Sequence, residues 1–237
     1  LRKPNKNTAQ LVDRLNFAEK VDRSLELIEE AYHEYGDNLV VANSLGKDSA
    51  AVWHLSKRVS DDIEGFIVAT RFFPDETIQF MKEEVKRYPE LKIYKSDVSL
   101  KGKLYEKDPD YCCELLKVRP TGEALEDLNA DCWITGLRCT EGRTRIDYLE
   151  IEERDEGLIK LNPILLWKER EIWQYLALND VDVNPLYKKG YRSLGCAPCT
   201  EITTSSNERA GRWSGTSKCG GECGIHTKPL QETIQVK

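Results

Sequence analysis

The chain has 237 residues, 40% of them hydrophobic and 32% charged, with a formal net charge of -6. It is long and apolar enough to bury a core, which argues against disorder, and its acidic balance argues against a general nucleic-acid surface. No apolar run approaches the ~18 residues of a membrane span and no secretory apolar segment precedes the eight cysteines, so a reducing cytoplasm and no membrane partner are expected. Leu11, Leu15, Ala18, Val21, Leu25 and Ile28 recur every three or four residues and predict a helix over 8–35, stopped by Gly36. Short strands at 39–42, 66–69 and 91–94 alternate with helices at 50–58 and 78–87, the second ended by Tyr88 and Pro89. A helix over 118–128, a strand over 132–136, a possible strand over 158–162 and a helix over 167–179 follow. The acidic run 150–156 reads as a solvated hairpin or loop, and from Gly190 onward Gly, Cys, Ser and Thr imply irregular structure. This alternation predicts an α/β fold, a doubly wound parallel sheet with helices on both faces. One domain is expected, with an N-terminal helical segment (1–36), a core (37–200) and a C-terminal segment (201–237).

The cysteines carry the first chemical signal. Cys112 and Cys113 are adjacent, Cys196 and Cys199 form a Cys-x-x-Cys pair, and Cys223 stands apart near the C-terminus. Side chains of adjacent residues diverge, so Cys112 and Cys113 suit two irons of a [4Fe-4S] cluster better than one tetrahedral ion. Structural zinc is the competing reading, since Cys-x-x-Cys is its usual half-site. Four clustered thiols with a fifth outside them suggest a metal centre beside a nucleophile.

A second signal is the segment Ser44, Leu45, Gly46, Lys47, Asp48, Ser49, which joins a buried strand to a helix start. Free N–H groups and the helix dipole favour an anion there, Gly46 allows close approach, and the serine hydroxyls can donate to phosphate. The spacing is not that of a Walker A loop. Lys47, Lys117, Arg138, Arg143, Arg145, Arg209 and Arg212 crowd these motifs, a pattern suited to a small, highly anionic ligand.

Ser-x-Gly-Lys-Asp-Ser in this position resembles the loop of the pyrophosphate-loop adenine nucleotide hydrolases. The later motifs narrow the resemblance to the assimilatory sulfonucleotide reductases of the iron-sulfur type. The segment from Cys112 to Lys117 resembles their vicinal-cysteine motif, and that from Trp133 to Arg138 their strand ending on a substrate-side arginine. Residues 184–200 resemble the second cysteine motif, 208–213 the arginine motif, and 222–226 the nucleophile motif. The order is unchanged from about Leu39 to His226.

The resemblance implies reduction of adenylyl sulfate (APS) or 3'-phosphoadenylyl sulfate (PAPS) to sulfite. Cys223 would attack sulfur, and Cys112, Cys113, Cys196 and Cys199 would hold a [4Fe-4S] cluster. Ser44, Gly46, Lys47, Asp48, Ser49, Lys117, Arg138, Arg209 and Arg212 would bind substrate. A thioredoxin-like dithiol would release sulfite, and relatives are commonly homo-oligomers. His226 could lower the Cys223 pKa or stand idle. Cys219 could resolve the thiosulfonate across two glycines, although a bystander thiol is the simpler reading. The chain departs from the family where a nucleotide-contacting Leu-Asp-Thr-Gly gives way to Val68, Ala69, Thr70 and Arg71, and Arg71 could meet a 3'-phosphate. Competing functions are an ATP-dependent thiolation enzyme acting on tRNA or DNA, and a non-catalytic iron-sulfur nucleotide sensor.

Overall fold

The computed structural model describes residues 11–99, 102–142, 145–154, 157–218, 222 and 224–227. Helix α1 (Phe17–Tyr35) leads through a 3-10 turn into β1 (Leu39–Ala42), followed by α2 (Lys47–Val59), β2 (Glu64–Ala69), α3 (Asp75–Arg87) and β3 (Leu91–Lys95). The chain continues through α4 (Leu104–Lys107), α5 (Pro109–Cys113), a π-helical turn (Glu114–Val118), α6 (Arg119–Asp127) and β4 (Cys132–Ile134). Strands β5 (Ile151–Glu153) and β6 (Ile159–Leu161), helix α7 (Glu169–Leu178), two 3-10 turns (Pro185–Lys189 and Ala197–Cys199) and a final turn of helix, α8 (Gly224–Thr227), complete it. No described helix is long and apolar enough to cross a membrane.

The sheet order is β3-β2-β1-β4-β6-β5, with every neighbouring pair parallel except β5 and β6. Both faces are covered, as the strand sequences require. Val41, Ile67 and Ile134 point into the larger core with Leu27 and Ile28 of α1 and Leu55 of α2, whereas Val40, Phe66 and Trp133 point to Leu125 of α6. Period-two alternation thus buries both sides of each central strand, the pattern of a doubly wound sheet. The chain winds outward from β1 to β3 and then returns to place β4 on the other side of β1. That reversal opens a crevice at the carboxyl ends of β1 and β4.

Two elements differ from the sequence expectation. The helix expected over 8–35 has its first residues, 8–10, outside the described residues and is broken by a turn after Leu11. Helix α1 thus begins at Phe17, where Asn16 accepts from the Glu19 N–H at 3.1 Å while Glu19 accepts from the Asn16 N–H at 2.7 Å. This reciprocal capping box stops the helix extending backwards. The acidic run does enter a hairpin, from β5 to β6, which makes the sheet mixed rather than wholly parallel, but the run is not solvated throughout. Ile151 is buried, and Glu150 is drawn inward by Arg23 of α1 at 2.5–2.6 Å. An edge strand is secured there by tertiary partners that local charge does not reveal.

Candidate active site

The crevice is lined by the loop between β1 and α2. Leu45 adopts a left-handed φ of 62° while its side chain is buried, and its N–H donates to Asn43 Oδ1 at 2.9 Å. The Gly46 N–H donates to Ser49 Oγ at 3.2 Å, and the Lys47 N–H to Tyr187 Oη at 2.7 Å. Three N–H groups that the sequence leaves open to an anion are therefore held by side chains, and they fix the loop's shape. Backbone strain of this kind concentrates at functional sites. Gly136, after β4, completes the crevice: a Cβ there would lie 2.9 Å from the Asp48 carbonyl carbon and the Ser49 nitrogen.

Ser44, Gly46, Lys47, Asp48, Ser49, Lys117, Arg209 and Arg212 all line this cavity, with Arg145 and Tyr187. Arg138 is fully buried behind the loop and does not line it. Its Nε donates to Asp48 Oδ1 at 2.6 Å and its Nη2 to Glu208 Oε2 at 2.6 Å. Glu208 Oε2 also accepts from Lys47 Nζ at 3.0 Å. Burial opposes the charge on Lys47 and Arg138, but Asp48 and Glu208 outweigh it and hold both above their ordinary values. A second set joins Arg145 to Glu141, and Glu222 to Arg145 Nε at 2.6 Å and Arg209 Nη2 at 3.1 Å. Burial works against a charged Glu141, yet Arg145, Arg209 and Arg138 bring its pKa down to about 2. These glutamates are the residues the sequence reading missed; Glu208 and Glu222 sit within the quoted motifs, where only the cations and the cysteine drew notice.

Cys223, Cys219 and Arg143 lie outside the described residues. The flanks of Cys223 are described, and Glu222, Ile225 and His226 all line the cavity. The His226 ring stacks on Trp133 with centroids 6.3 Å apart and an interplanar angle of 8°. Burial, with Lys160 and Arg145 nearby, holds its pKa well below the usual imidazole value. Arg71 is exposed, donates to the Val98 carbonyl, and does not line the cavity.

Next to this cavity, Cys112, Cys113, Cys196 and Cys199 line one cleft with Phe72, Tyr105 and Leu116. Asp108 caps α5 through the Tyr111 N–H and Pro109 occupies the first turn, a start that brings both adjacent cysteines inward. The Trp213 N–H holds the Cys199 carbonyl at 2.8 Å, which ties the second pair to the arginine motif. Burial pushes the Cys112 thiol up to about 11, with Cys196 and Cys199 adding to the rise. Four buried thiols on one apolar-walled cleft are a donor set that would suit a cluster of several irons. Among the described residues no group of three or more His, Cys, Asp or Glu stands placed to hold a metal ion. Lys117, Arg212 and Trp213 line both cavities and form the wall between them. Arg209, Arg212 and Lys218 lie over the Trp213 ring, with charged atoms 4.7–5.5 Å from its centroid.

A model of the phosphoadenosine phosphosulfate reductase domain matches residues 38–202. The chain belongs to this family. Adenosine 5'-phosphosulfate reductase 1 of Bacillus subtilis (strain 168) is 37% identical over 215 residues, spanning 86% of this chain and 90% of the relative. The adenosine 5'-phosphosulfate reductase of Halalkalibacterium halodurans is 35% identical over 226 residues, 91% of this chain and 96% of that one. Among solved structures, phosphoadenylyl-sulfate reductase from Candida auris in a phosphate complex superposes with a TM-score of 0.67 at 22% identity, covering 81% of this chain and 97% of the other. FMN adenylyltransferase of Candida glabrata shares the fold at a TM-score of 0.60 and 15% identity. Membership of the family accounts for the loop, the crevice and the motif order together.

Proposed function

We propose that this protein reduces adenosine 5'-phosphosulfate to sulfite through a thiosulfonate on Cys223. One observation carries the reading: Lys47, Lys117, Arg145, Arg209 and Arg212 converge on the cavity that the residues flanking Cys223 also line. Relatives of near-equal length named adenosine 5'-phosphosulfate reductase support this substrate over its 3'-phosphorylated form.

In the first step the Cys223 thiolate attacks the sulfate sulfur. An S–S bond forms, the S–O bond to the nucleotide breaks, and AMP departs with that electron pair. Lys47, Lys117, Arg209 and Arg212 neutralise the phosphate and sulfonyl oxygens as charge shifts to the leaving group. An external dithiol of the thioredoxin type then attacks the Cys223 sulfur, and sulfite leaves with the S–S electron pair. The second thiol of that dithiol displaces the Cys223 thiolate and closes a disulfide, so the two electrons gained by sulfur come from the dithiol. A reducing compartment such as the cytoplasm would keep the eight cysteines out of disulfides and available as ligands and nucleophile.

Cys112, Cys113, Cys196 and Cys199 would hold a [4Fe-4S] cluster. When bound, it would order the two cysteine-bearing segments beside the cavity. Lys117 and Arg212, in the shared wall, carry their own positive charge between the two cavities.

The test is sulfite release from both sulfonucleotides, side by side, on anaerobically purified protein with a thioredoxin-type dithiol. Turnover of adenosine 5'-phosphosulfate, abolished in Cys223→Ser with nucleotide binding and iron content retained, is the expected result. No sulfite from either substrate, or full turnover in Cys223→Ser, overturns the reading.

A further inference from the structure

The segment 222–227 is too short to hold itself in place, since an isolated helix of one turn is unstable in water. It is held by side chains at both ends. On the N-terminal side Glu222 sits in the guanidinium forks of Arg145 and Arg209, with its side chain 6% exposed. On the C-terminal side the His226 carbonyl accepts from Arg154 Nη1 at 3.0 Å and from Tyr148 Oη at 3.4 Å. Between them the His226 ring lies flat on Trp133, and Ile225 packs against the cluster of Val40, Phe66 and Trp133.

Arg154 is not among the residues that line the cavity. It follows β5, the edge strand whose register on β6 pairs Glu153 with Ile159, and its N–H donates to the Leu158 carbonyl at 2.7 Å. Its side chain is thus carried by a sheet edge. A cation donating to a carbonyl at a helix C-terminus satisfies an acceptor that the helix leaves open and also opposes the helix dipole.

We infer that Arg154, seconded by the Trp133–His226 stack, is a positioning residue that docks the Cys223-bearing segment over the cavity. The inference rests on Cys223 being the nucleophile. Arg154 reaches this segment through the backbone of His226, three residues beyond Cys223. Its loss therefore affects the sulfur-transfer step and not the affinity of the cation-lined cavity for the nucleotide.

The experiment compares wild type, Arg154→Ala and Arg154→Lys by amide hydrogen exchange and by steady-state kinetics. In Arg154→Ala, exchange across 222–227 should rise by about tenfold or more, the scale of one lost charge-assisted hydrogen bond, while exchange in the loop 43–49 stays unchanged. The kcat should fall by a similar factor with KM for the sulfonucleotide within about twofold, and Arg154→Lys should recover most of both. Unchanged exchange across 222–227 overturns the docking role. Faster exchange with unchanged kcat overturns its importance for the reaction. If wild type releases no sulfite from either sulfonucleotide, the functional reading fails, and the exchange data still decide by themselves whether Arg154 docks the segment.

Discussion

Glu208 Oε2 lies 2.6 Å from Arg138 Nη2, and both side chains are buried beneath the phosphate loop. The same oxygen accepts from Lys47, so one carboxylate occupies a cavity-lining cation that a bound phosphate group would otherwise engage. Glu208→Gln removes that charge while keeping the shape. Two buried cations then lose a partner, a change that costs about 3 kcal/mol or more and lowers Tm. AMP or inorganic phosphate should raise the Tm of this variant by more than it raises that of wild type. A ligand-induced shift no larger than the wild-type one would show that Glu208 does not compete with the anion.

Gly136→Ala tests the contact between β4 and the loop. Its Cβ would meet the Asp48 and Ser49 backbone at 2.9 Å, too close for either side to ignore. The expected stability loss is modest, about 1–3 kcal/mol, as for other overpacked sites. The loss in kcat/KM should be larger in proportion, roughly tenfold or more, because the displaced atoms belong to the anion site. Wild-type kcat/KM in Gly136→Ala would mean that the loop need not hold this position.

The fold was legible in the sequence where the hydrophobic period was strong, as in Val40 and Val41 or in the run from Phe66 to Ala69. In β5 the hairpin was read only as one alternative and its burial not at all, since three residues are too few for a pattern and Arg23, more than a hundred positions away, neutralises Glu150. Of the site, the cations and the thiols were legible because their types and spacing are unusual. The glutamates that balance them were not, since an acidic residue in a chain that is 32% charged carries no signal until its partners are known. Arg138 likewise reads as a ligand-facing arginine, and only the packing of β4 against α2 puts it behind Asp48.

Glu141 makes stability depend on pH. Its folded pKa of about 2 lies below the ordinary glutamate value of 4.5. The unfolded chain therefore binds the proton first as pH falls. The stabilisation is fully present above about pH 4.5 and is lost progressively toward pH 2. In Glu141→Gln this part of the acid dependence should disappear, so that wild type and variant converge in stability as pH falls through that window. Parallel stability curves over pH 2–5 would remove Glu141 from the account of acid unfolding.

Anaerobically purified protein should be brown and contain about four irons and four sulfides per chain. Cys112→Ser and Cys199→Ser should each lose most of the iron together with the visible absorbance. Stoichiometric zinc without inorganic sulfide would falsify the cluster assignment and return the four thiols to a structural role.

Tyr187, whose hydroxyl accepts the Lys47 N–H, stands 140 positions further along the chain than Lys47. Its phenol is buried, which pushes its pKa up and keeps the hydroxyl neutral, and Trp173 of α7 meets its ring edge-on at 5.1 Å. The loop 43–49 is therefore not a portable module. Grafted onto another parallel sheet, it would bring Asn43 and Ser49 for the N–H groups of Leu45 and Gly46 but leave that of Lys47 without its acceptor. A transplant would have to include the 3-10 turn from Pro185 to Lys189 and a helix to brace it, so the smallest transferable unit is assembled from both ends of the core.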